Sequence, residues 1–170
     1  MTSTGHVQLD AKDRFDGETA FVGAVLHLSA AAALDVLSLL RPGDFADPRL
    51  AAVVDVCRDL ARGGTAPDPV AVFAHARAHA IVSGADPTRA MALLLSELYD
   101  ACPTPVSVYW YRNAVLDGAL RRRVAELAAR TAQAVEDGSL TTLTALLGDE
   151  VTAVGNVQAR RAAARVGQPR

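Results

Sequence analysis

Apolar residues recur every three or four positions in several segments of the chain, a period typical of helices that bury one face. We predict helices over about residues 17–28, 30–40, 48–62, 69–80, 87–100, 105–137 and 140–155. The third segment shows the period most clearly. Its apolar face consists of Leu50, Val53, Val54, Cys57 and Leu60. No alternating pattern typical of strands competes with these helices, so the predicted fold class is all-α.

Four of the predicted helices start at a capping residue followed by proline: Asp47-Pro48, Asp68-Pro69, Asp86-Pro87 and Thr104-Pro105. The Asp or Thr oxygen can accept a hydrogen bond from the first turn, and proline there loses a donor that had no partner. Ser29 is a weaker candidate cap. Short turns such as "RPGDF" and "RGGTAPD" separate the first five helices. We therefore expect a disordered tail at 1–16, a compact globular lobe at 17–103, a helical hairpin at 104–155 and a basic tail at 156–170.

The sixth predicted helix is more than twice as long as the others and apolar nearly all round in its first half. A helical projection predicts one broad stripe along it: Val106, Tyr109, Trp110, Leu116, Leu120, Val124, Leu127 and Val135. A second face carries Tyr111, Ala114, Val115, Gly118 and Ala125. Gly118 would let another backbone approach closely. The first half of this helix should therefore be sandwiched between partners.

The seventh helix complements the sixth, with Leu140, Leu143, Leu147, Val151 and Val154 at three- and four-residue spacings. A short polar turn at 136–139 connects them, which predicts an αα-hairpin. Such a hairpin cannot enclose its own apolar stripe, so we expect it to pair with a second copy across a two-fold axis. The predicted dimer or partner interface comprises Leu116, Leu120, Val124, Leu127, Leu143, Leu147 and Val151.

Three arginines follow one edge of that stripe: Arg112, Arg123 and Arg130. They are either solvated flanks with Asp117, Glu126 and Glu136 as counter-charges, or polar contacts to a partner. Arg121 and Arg122 point elsewhere. The rings of residues 109–111 are expected on packing faces, which disfavours base stacking.

With 170 residues the chain can form one compact domain, and its net charge of -2 provides no overall attraction to nucleic acid. Local contacts to phosphate remain open for the tail arginines Arg160, Arg161, Arg165 and Arg170, which otherwise keep a disordered tail soluble. The first 17 residues are too polar for a signal peptide, so a cytoplasmic location is expected. Residues 21–40 are about as long as a membrane span, but Asp35 within them favours two short helices.

Catalytic chemistry is not predicted. His75 and His79 are four residues apart but have no third metal ligand, and no serine or cysteine lies in a nucleophile motif. A nucleotide motor needs a G-x-x-x-x-G-K-[ST] loop, whereas the only lysine is Lys12 in the tail. We expect no enzyme activity, no catalytic residues, no cofactor and no metal.

Several short motifs follow one another in a familiar order. Glu18 and Gly23 lie in the first helix, Pro42, Asp44 and Phe45 lie in "RPGDF", and Asp68 lies in "GGTAPDPVAVF". Tyr111, Asp117 and Arg122 follow in the long helix. In order and spacing, residues 17–155 resemble the N-terminal domain of DnaB-type replicative helicases. The resemblance gives those nine residues structural roles.

The resemblance implies a helical lobe followed by a hairpin, with hairpins that pair into dimers and dimers that assemble into a collar. It also implies a non-catalytic role at the surface where helicase, primase and loader meet. The family's motor domain has no counterpart in this sequence. We therefore expect a protein-interaction module of DNA replication, either independent or part of a longer helicase. The alternative is a small helical DNA-binding regulator that uses the arginine-rich hairpin edge and the tail.

Overall fold

The computed structural model of the chain describes residues 16–136 and 140–166. Within these ranges the chain forms seven α-helices and two 3-10 turns without any strand, which confirms the all-α prediction. The helices are α1 (Gly17–Val25), α2 (Ala30–Leu37), α3 (Pro48–Arg62), α4 (Pro69–Ala78), α5 (Ala85–Ala101), α6 (Val108–Glu136) and α7 (Leu140–Val166). The 3-10 turns are Pro42–Asp44 and Pro105–Ser107.

Some predictions fall outside the described residues. These are the tail up to residue 15, the centre of the hairpin turn at 137–139, and Arg170. The side chains of Leu140 and Leu143 are also outside the described part of the chain.

Local capping explains where three of the helices begin. Asp68 Oδ1 accepts hydrogen bonds from the backbone N of Val70 at 2.9 Å and of Ala71 at 3.0 Å, and Asp47 Oδ1 accepts one from Arg49 N at 2.8 Å. Ser29 caps α2 more weakly, through Ala32 N at 3.3 Å. These three caps were predicted from the sequence and are confirmed.

The predicted caps at Asp86 and Thr104 were wrong. Helix α5 begins at Ala85, with Gly84 at the cap position and a φ of 86°, so Asp86 lies inside the first turn. Gly84 adopts this left-handed conformation at little steric cost, which allows the helix to start two residues early. Thr104 precedes a 3-10 turn and makes no side-chain cap hydrogen bond.

Helix α1 is the centre of the lobe. All but the first of its residues are buried, and it packs against α3, α5 and α6. A Cβ on Gly23 would lie 2.4 Å from the carbonyl oxygen of Leu98, so α1 and α5 cross at a distance that only glycine allows. Cys57 in α3 is fully buried, as predicted, and burial raises the pKa of its thiol to about 12.

The long helices α6 and α7 contain 29 and 27 residues and pack antiparallel as a hairpin. The first half of α6 is sandwiched, as predicted: Tyr111, Val115 and Leu116 are buried in the lobe core. Helix α7 continues to Val166, so the prediction of a hairpin ending at residue 155 and a tail beginning at 156 was wrong. Alanine and arginine favour a helix here, and Val157 and Ala164 are buried. Among the described residues, each helix is either too short or too polar to span a lipid bilayer.

Candidate protein-interaction site

Buried charges fix the base of the hairpin to the lobe. Glu18 on α1 is 6% exposed, and its Oε2 accepts a hydrogen bond from Ala46 N at 2.7 Å. Its Oε1 accepts one from Arg122 Nη1 on α6, also at 2.7 Å. Arg122 Nη2 donates to the carbonyl oxygen of Asp44. Because a buried carboxylate is costly without partners, the Glu18–Arg122 pair sets where α6 leaves the lobe.

A second buried pair holds the returning helix. The Asp44 carboxylate accepts hydrogen bonds from Arg41 N at 2.7 Å and from both Nη atoms of Arg160, with 2.8 Å between Nη2 and Oδ1. Arg160 Nη1 also donates to the carbonyl oxygen of Leu39 at 2.9 Å. Helix α7 is thereby attached to the lobe near its C-terminal end. The sequence analysis missed this role because it placed Arg160 in a tail.

Arg112 joins α6 to the end of α7. It is 3% exposed, its Nη2 donates to the carbonyl oxygen of Ala164 at 2.6 Å, and its guanidinium lies 5.1 Å from the centroid of the Tyr109 ring. Burial lowers the pKa of Arg112. The last carbonyls of a helix are unpaired and carry partial negative charge, which suits a guanidinium. Tyr109 in turn donates to Asp35 Oδ2 at 2.8 Å, which connects α2 to the same junction.

The arginines predicted as a partner-binding edge are used within the chain. Arg112 is buried, Arg123 pairs with Glu126 at 3.3 Å, and Arg130 pairs with Glu150 on α7. This arrangement contradicts an edge of three arginines that are free to contact a partner. Partners within the chain explain the difference: a backbone carbonyl of α7 for Arg112, a glutamate on the same helix for Arg123 and a glutamate of α7 for Arg130.

Asp117 and Gly118 also differ from prediction. Asp117 pairs across the hairpin with Arg161 Nε, and this hydrogen bond, followed by the charges of the surrounding arginines, lowers the pKa of Asp117. The space above Gly118 is taken by a side chain rather than by another backbone: a Cβ there would lie 3.4 Å from Arg122 Nη1. Gly118 therefore leaves a path for Arg122 towards the lobe.

Apolar side chains remain exposed on the part of the hairpin that extends beyond the lobe. Their exposed fractions are 48% for Val124 and 61% for Val135 on α6, and 38% for Leu147 and 59% for Val151 on α7. Leu120 and Leu127 are half-buried. The pairs Arg130–Glu150 and Asp117–Arg161 define an antiparallel register that sets Leu127 about level with Val151. We call Val124, Leu127, Val135, Leu147 and Val151 the hairpin apolar surface.

Two members of the predicted stripe lie in environments that differ from the prediction. Leu116 is fully buried in the lobe core and cannot belong to an interface with another chain. Trp110, which was expected on a packing face, is 63% exposed. Trp110 and Leu116 are six residues apart, which separates them by about 120° around the helix axis. They therefore cannot both lie at the centre of one stripe.

The other residues given structural roles by the resemblance also lie in the lobe or at its junction with the hairpin. Phe45 is 7% exposed, and its ring centroid lies 6.2 Å from that of Phe21 in α1. Pro42 begins the 3-10 turn that carries Asp44, and Asp68 caps α4. Tyr111 is buried. These positions shape the lobe.

The histidine pair stacks without forming a metal site. The ring centroids of His75 and His79 lie 4.0 Å apart, and a ring nitrogen of His79 contacts the carbonyl oxygen of His75 at 3.0 Å. Across residues 16–136 and 140–166, no three His, Cys, Asp or Glu side chains are grouped to hold a metal ion.

Comparison with known proteins decides the family. The model of the DnaB-like helicase N terminal domain matches residues 11–117, which cover the lobe and the start of α6. The chain belongs to this family. Among solved structures, this DnaB-like domain is similar to the crystal structure of the N-terminal domain of DnaB helicase from Mycobacterium tuberculosis, with 29% sequence identity and a TM-score of 0.68. The similarity covers 81% of this chain and 95% of that chain, so it extends into the hairpin. No curated protein matches the chain.

Proposed function

We propose that this DnaB-like domain is a non-catalytic interaction module of DNA replication that dimerises through its hairpin and contacts helicase, primase or loader. The observation that carries the proposal is the hairpin apolar surface. Val124, Val135 and Val151 are each about half exposed or more, whereas the charged pairs beside them, Arg123–Glu126 and Arg130–Glu150, are formed within the chain. Contiguous exposed apolar side chains are typical of surfaces that another protein covers.

A second copy is the expected occupant of this surface. A two-fold axis places the same residues on both sides of an interface, so an apolar face can cover itself. Leu147 and Val151 would pack against Val124 and Leu127 of the second copy, and the Arg130–Glu150 pair would lie at the rim. Dimers of this kind would be the building blocks of a collar-type oligomer, as the resemblance implies.

The non-catalytic role rests on the family rather than on the absence of any group. The matched region is an N-terminal domain and not the motor of a helicase. A binding domain of this type acts by positioning or recruiting a protein that has catalytic activity. Since proteins of DNA replication act where the DNA is, we propose a cytoplasmic location.

Affinity capture with the host's replicative helicase, primase and loader tests the partner assignment. We expect the wild-type chain, at micromolar concentration, to retain at least one of the three. A Val151→Asp variant is expected to retain less, because the charge lies in the proposed interface. Leu93→Asp is the matched control, since Leu93 is 45% exposed on the lobe and its substitution introduces the same charge. Retention of none of the three proteins by the wild type would contradict the partner assignment.

The alternative DNA-binding regulator is not supported in its original form. It required Arg112, Arg123 and Arg130 as a free edge, but Arg112 is buried and the other two are paired with carboxylates. Arg160, the first of its tail arginines, is bound to Asp44.

A further inference from the structure

A second group of arginines, distinct from Arg112, Arg123 and Arg130, lies where α6 and α7 pack side by side at the base of the hairpin. Asp117 and Arg121 are one turn apart on α6, and Arg161 and Arg165 are one turn apart on α7. Arg161 Nε donates to Asp117 Oδ1, which brings the two helical pairs together across the seam. The charges of Arg165 and Arg121 also act on Asp117 and help to lower its pKa, after the larger effect of Arg161. We call Arg121, Arg161 and Arg165 the basic patch.

The basic patch has an excess of positive charge. The Asp117 carboxylate lies at the centre of the patch and accepts a hydrogen bond from Arg161. Arg121 and Arg165 are exposed, and neither pairs with a carboxylate in the described part of the chain. Two other acids face different cations: the charge of Asp35 acts on Arg112, and Glu126 pairs with Arg123. The patch therefore carries about two uncompensated charges, although the whole chain is slightly acidic.

An exposed aromatic ring lies next to the basic patch. Trp110 precedes Asp117 by seven residues, so both lie on one face of α6 about 10 Å apart along the helix axis. The hydrogen bond between Arg112 and Ala164 sets Arg165 level with the stretch between Trp110 and Asp117. Trp110 touches its neighbour Tyr111 edge-on, with 5.6 Å between ring centroids, and 63% of its surface is exposed. The flat face of an indole is thus available between the lobe and two unpaired guanidinium groups.

We propose that Trp110 and the basic patch bind single-stranded nucleic acid, with a base stacked on Trp110 and phosphates held by Arg121 and Arg165. Sequence-tolerant binding to single strands combines an aromatic platform with basic side chains beside it, and this surface has both. An acidic peptide would satisfy the arginines, but its carboxylates would leave the indole face without a stacking partner, whereas every nucleotide brings both a phosphate and a planar base. A duplex keeps its bases stacked inside and would leave Trp110 unused. This activity goes beyond the proposed interaction role and does not depend on it.

Intrinsic fluorescence offers a direct test, because Trp110 is the only tryptophan of the chain. Titration of the full chain with a 20-nucleotide oligo-dT or oligo-rU at low salt is expected to quench the Trp110 emission to saturation. The apparent affinity should fall steeply as salt is raised, since counterions are released from the strand. The double variant Arg121→Gln/Arg165→Gln is expected to bind roughly tenfold or more weakly.

The matched control is Arg77→Gln/Arg89→Gln, which removes the same charge from two exposed arginines of the lobe. It should bind like the wild type apart from a small general effect. With a labelled oligonucleotide and anisotropy as the readout, Trp110→Ala should bind more weakly than Trp110→Phe, which keeps a ring. Circular dichroism verifies that each variant stays helical.

Three results would overturn the proposal. The first is an absence of both quenching and anisotropy change at low salt. The second is equal loss of affinity in the patch variant and in the lobe control. The third is binding of poly-glutamate of similar length as tightly as oligo-dT, which would assign the surface to an acidic protein. Failure to bind helicase or primase would leave this proposal unaffected, so the two functions are tested separately.

Discussion

Arg160 and Asp44, which are 116 positions apart in the chain, form a two-pronged ion pair that attaches the last helix to the first half of the lobe. Asp44 is 3% exposed, and the Arg160 side chain is 14% exposed. The pair, together with the Arg160 hydrogen bond to Leu39, makes the end of α7 part of the folded domain. The hairpin therefore starts and ends on the lobe.

Arg160→Ala is expected to destabilise the domain by about 3 kcal/mol, because it leaves a buried carboxylate without its cation. Urea unfolding followed by circular dichroism measures the change. Arg62→Ala is the control: Arg62 is exposed and lies 3.5 Å from Asp59, so its loss should cost about 0.5 kcal/mol or less. Equal effects of the two substitutions would contradict the assigned role of the Arg160–Asp44 pair.

Gly23→Ala tests the close crossing of α1 and α5. The added methyl group would lie 2.4 Å from the backbone oxygen of Leu98, so the two helices must separate, and we expect a loss of about 2 to 3 kcal/mol. Gly148→Ala is the matched control on α7, where nothing lies within 4 Å of the added Cβ. There alanine should stabilise the helix by about 0.5 to 1 kcal/mol. Urea unfolding midpoints measure the two stability changes, which should have opposite signs. A Gly23→Ala variant as stable as the wild type would contradict the close crossing of α1 and α5.

The Asp117–Arg161 pair predicts a dependence of stability on pH. Arg161 lowers the pKa of Asp117 in the folded state, so folding favours the charged carboxylate. Its contribution is fully present above the unfolded pKa, which is about 3.9, and is lost as pH falls through the lower folded pKa. Wild type should therefore be more stable than Asp117→Asn at pH 7, and the difference should vanish in strong acid. Urea midpoints across this range measure it; a difference that grows as the pH falls would contradict the prediction.

Features that depend on a few neighbouring residues could be predicted from the sequence. The caps at Asp47 and Asp68 involve backbone groups within three positions, and the α3 face is repeated every turn, so helix α3 was predicted with the bounds that the structure shows. The all-α class follows from the same local signals. Motif order also indicated the family, since the spacing of residues such as Tyr111 and Arg122 is preserved in the chain.

Features that depend on distant partners could not be predicted in this way. Leu116 and Leu127 have the same residue type on one helix, but only Leu116 enters the lobe core, because α1 packs against the first half of α6. No residue near Arg160 in the sequence indicates that it pairs with Asp44, so Arg160 was predicted to lie in a tail. The repeat of Val157, Arg160, Arg161 and Ala164 at three- and four-residue spacings was the available sign that α7 continues.

Sedimentation equilibrium of the wild-type chain and of Val151→Asp tests the central claim most directly, since Val151 is 59% exposed and its substitution leaves the contacts between α6 and α7 intact. We predict twice the 17.8 kDa chain mass for wild type, or a higher multiple, and a shift towards monomer for Val151→Asp. Leu127→Asp should act in the same direction, and Leu93→Asp on the lobe should leave the mass unchanged. A wild-type chain that sediments at 17.8 kDa throughout the micromolar range, or a Val151→Asp variant that sediments like wild type, would contradict the account.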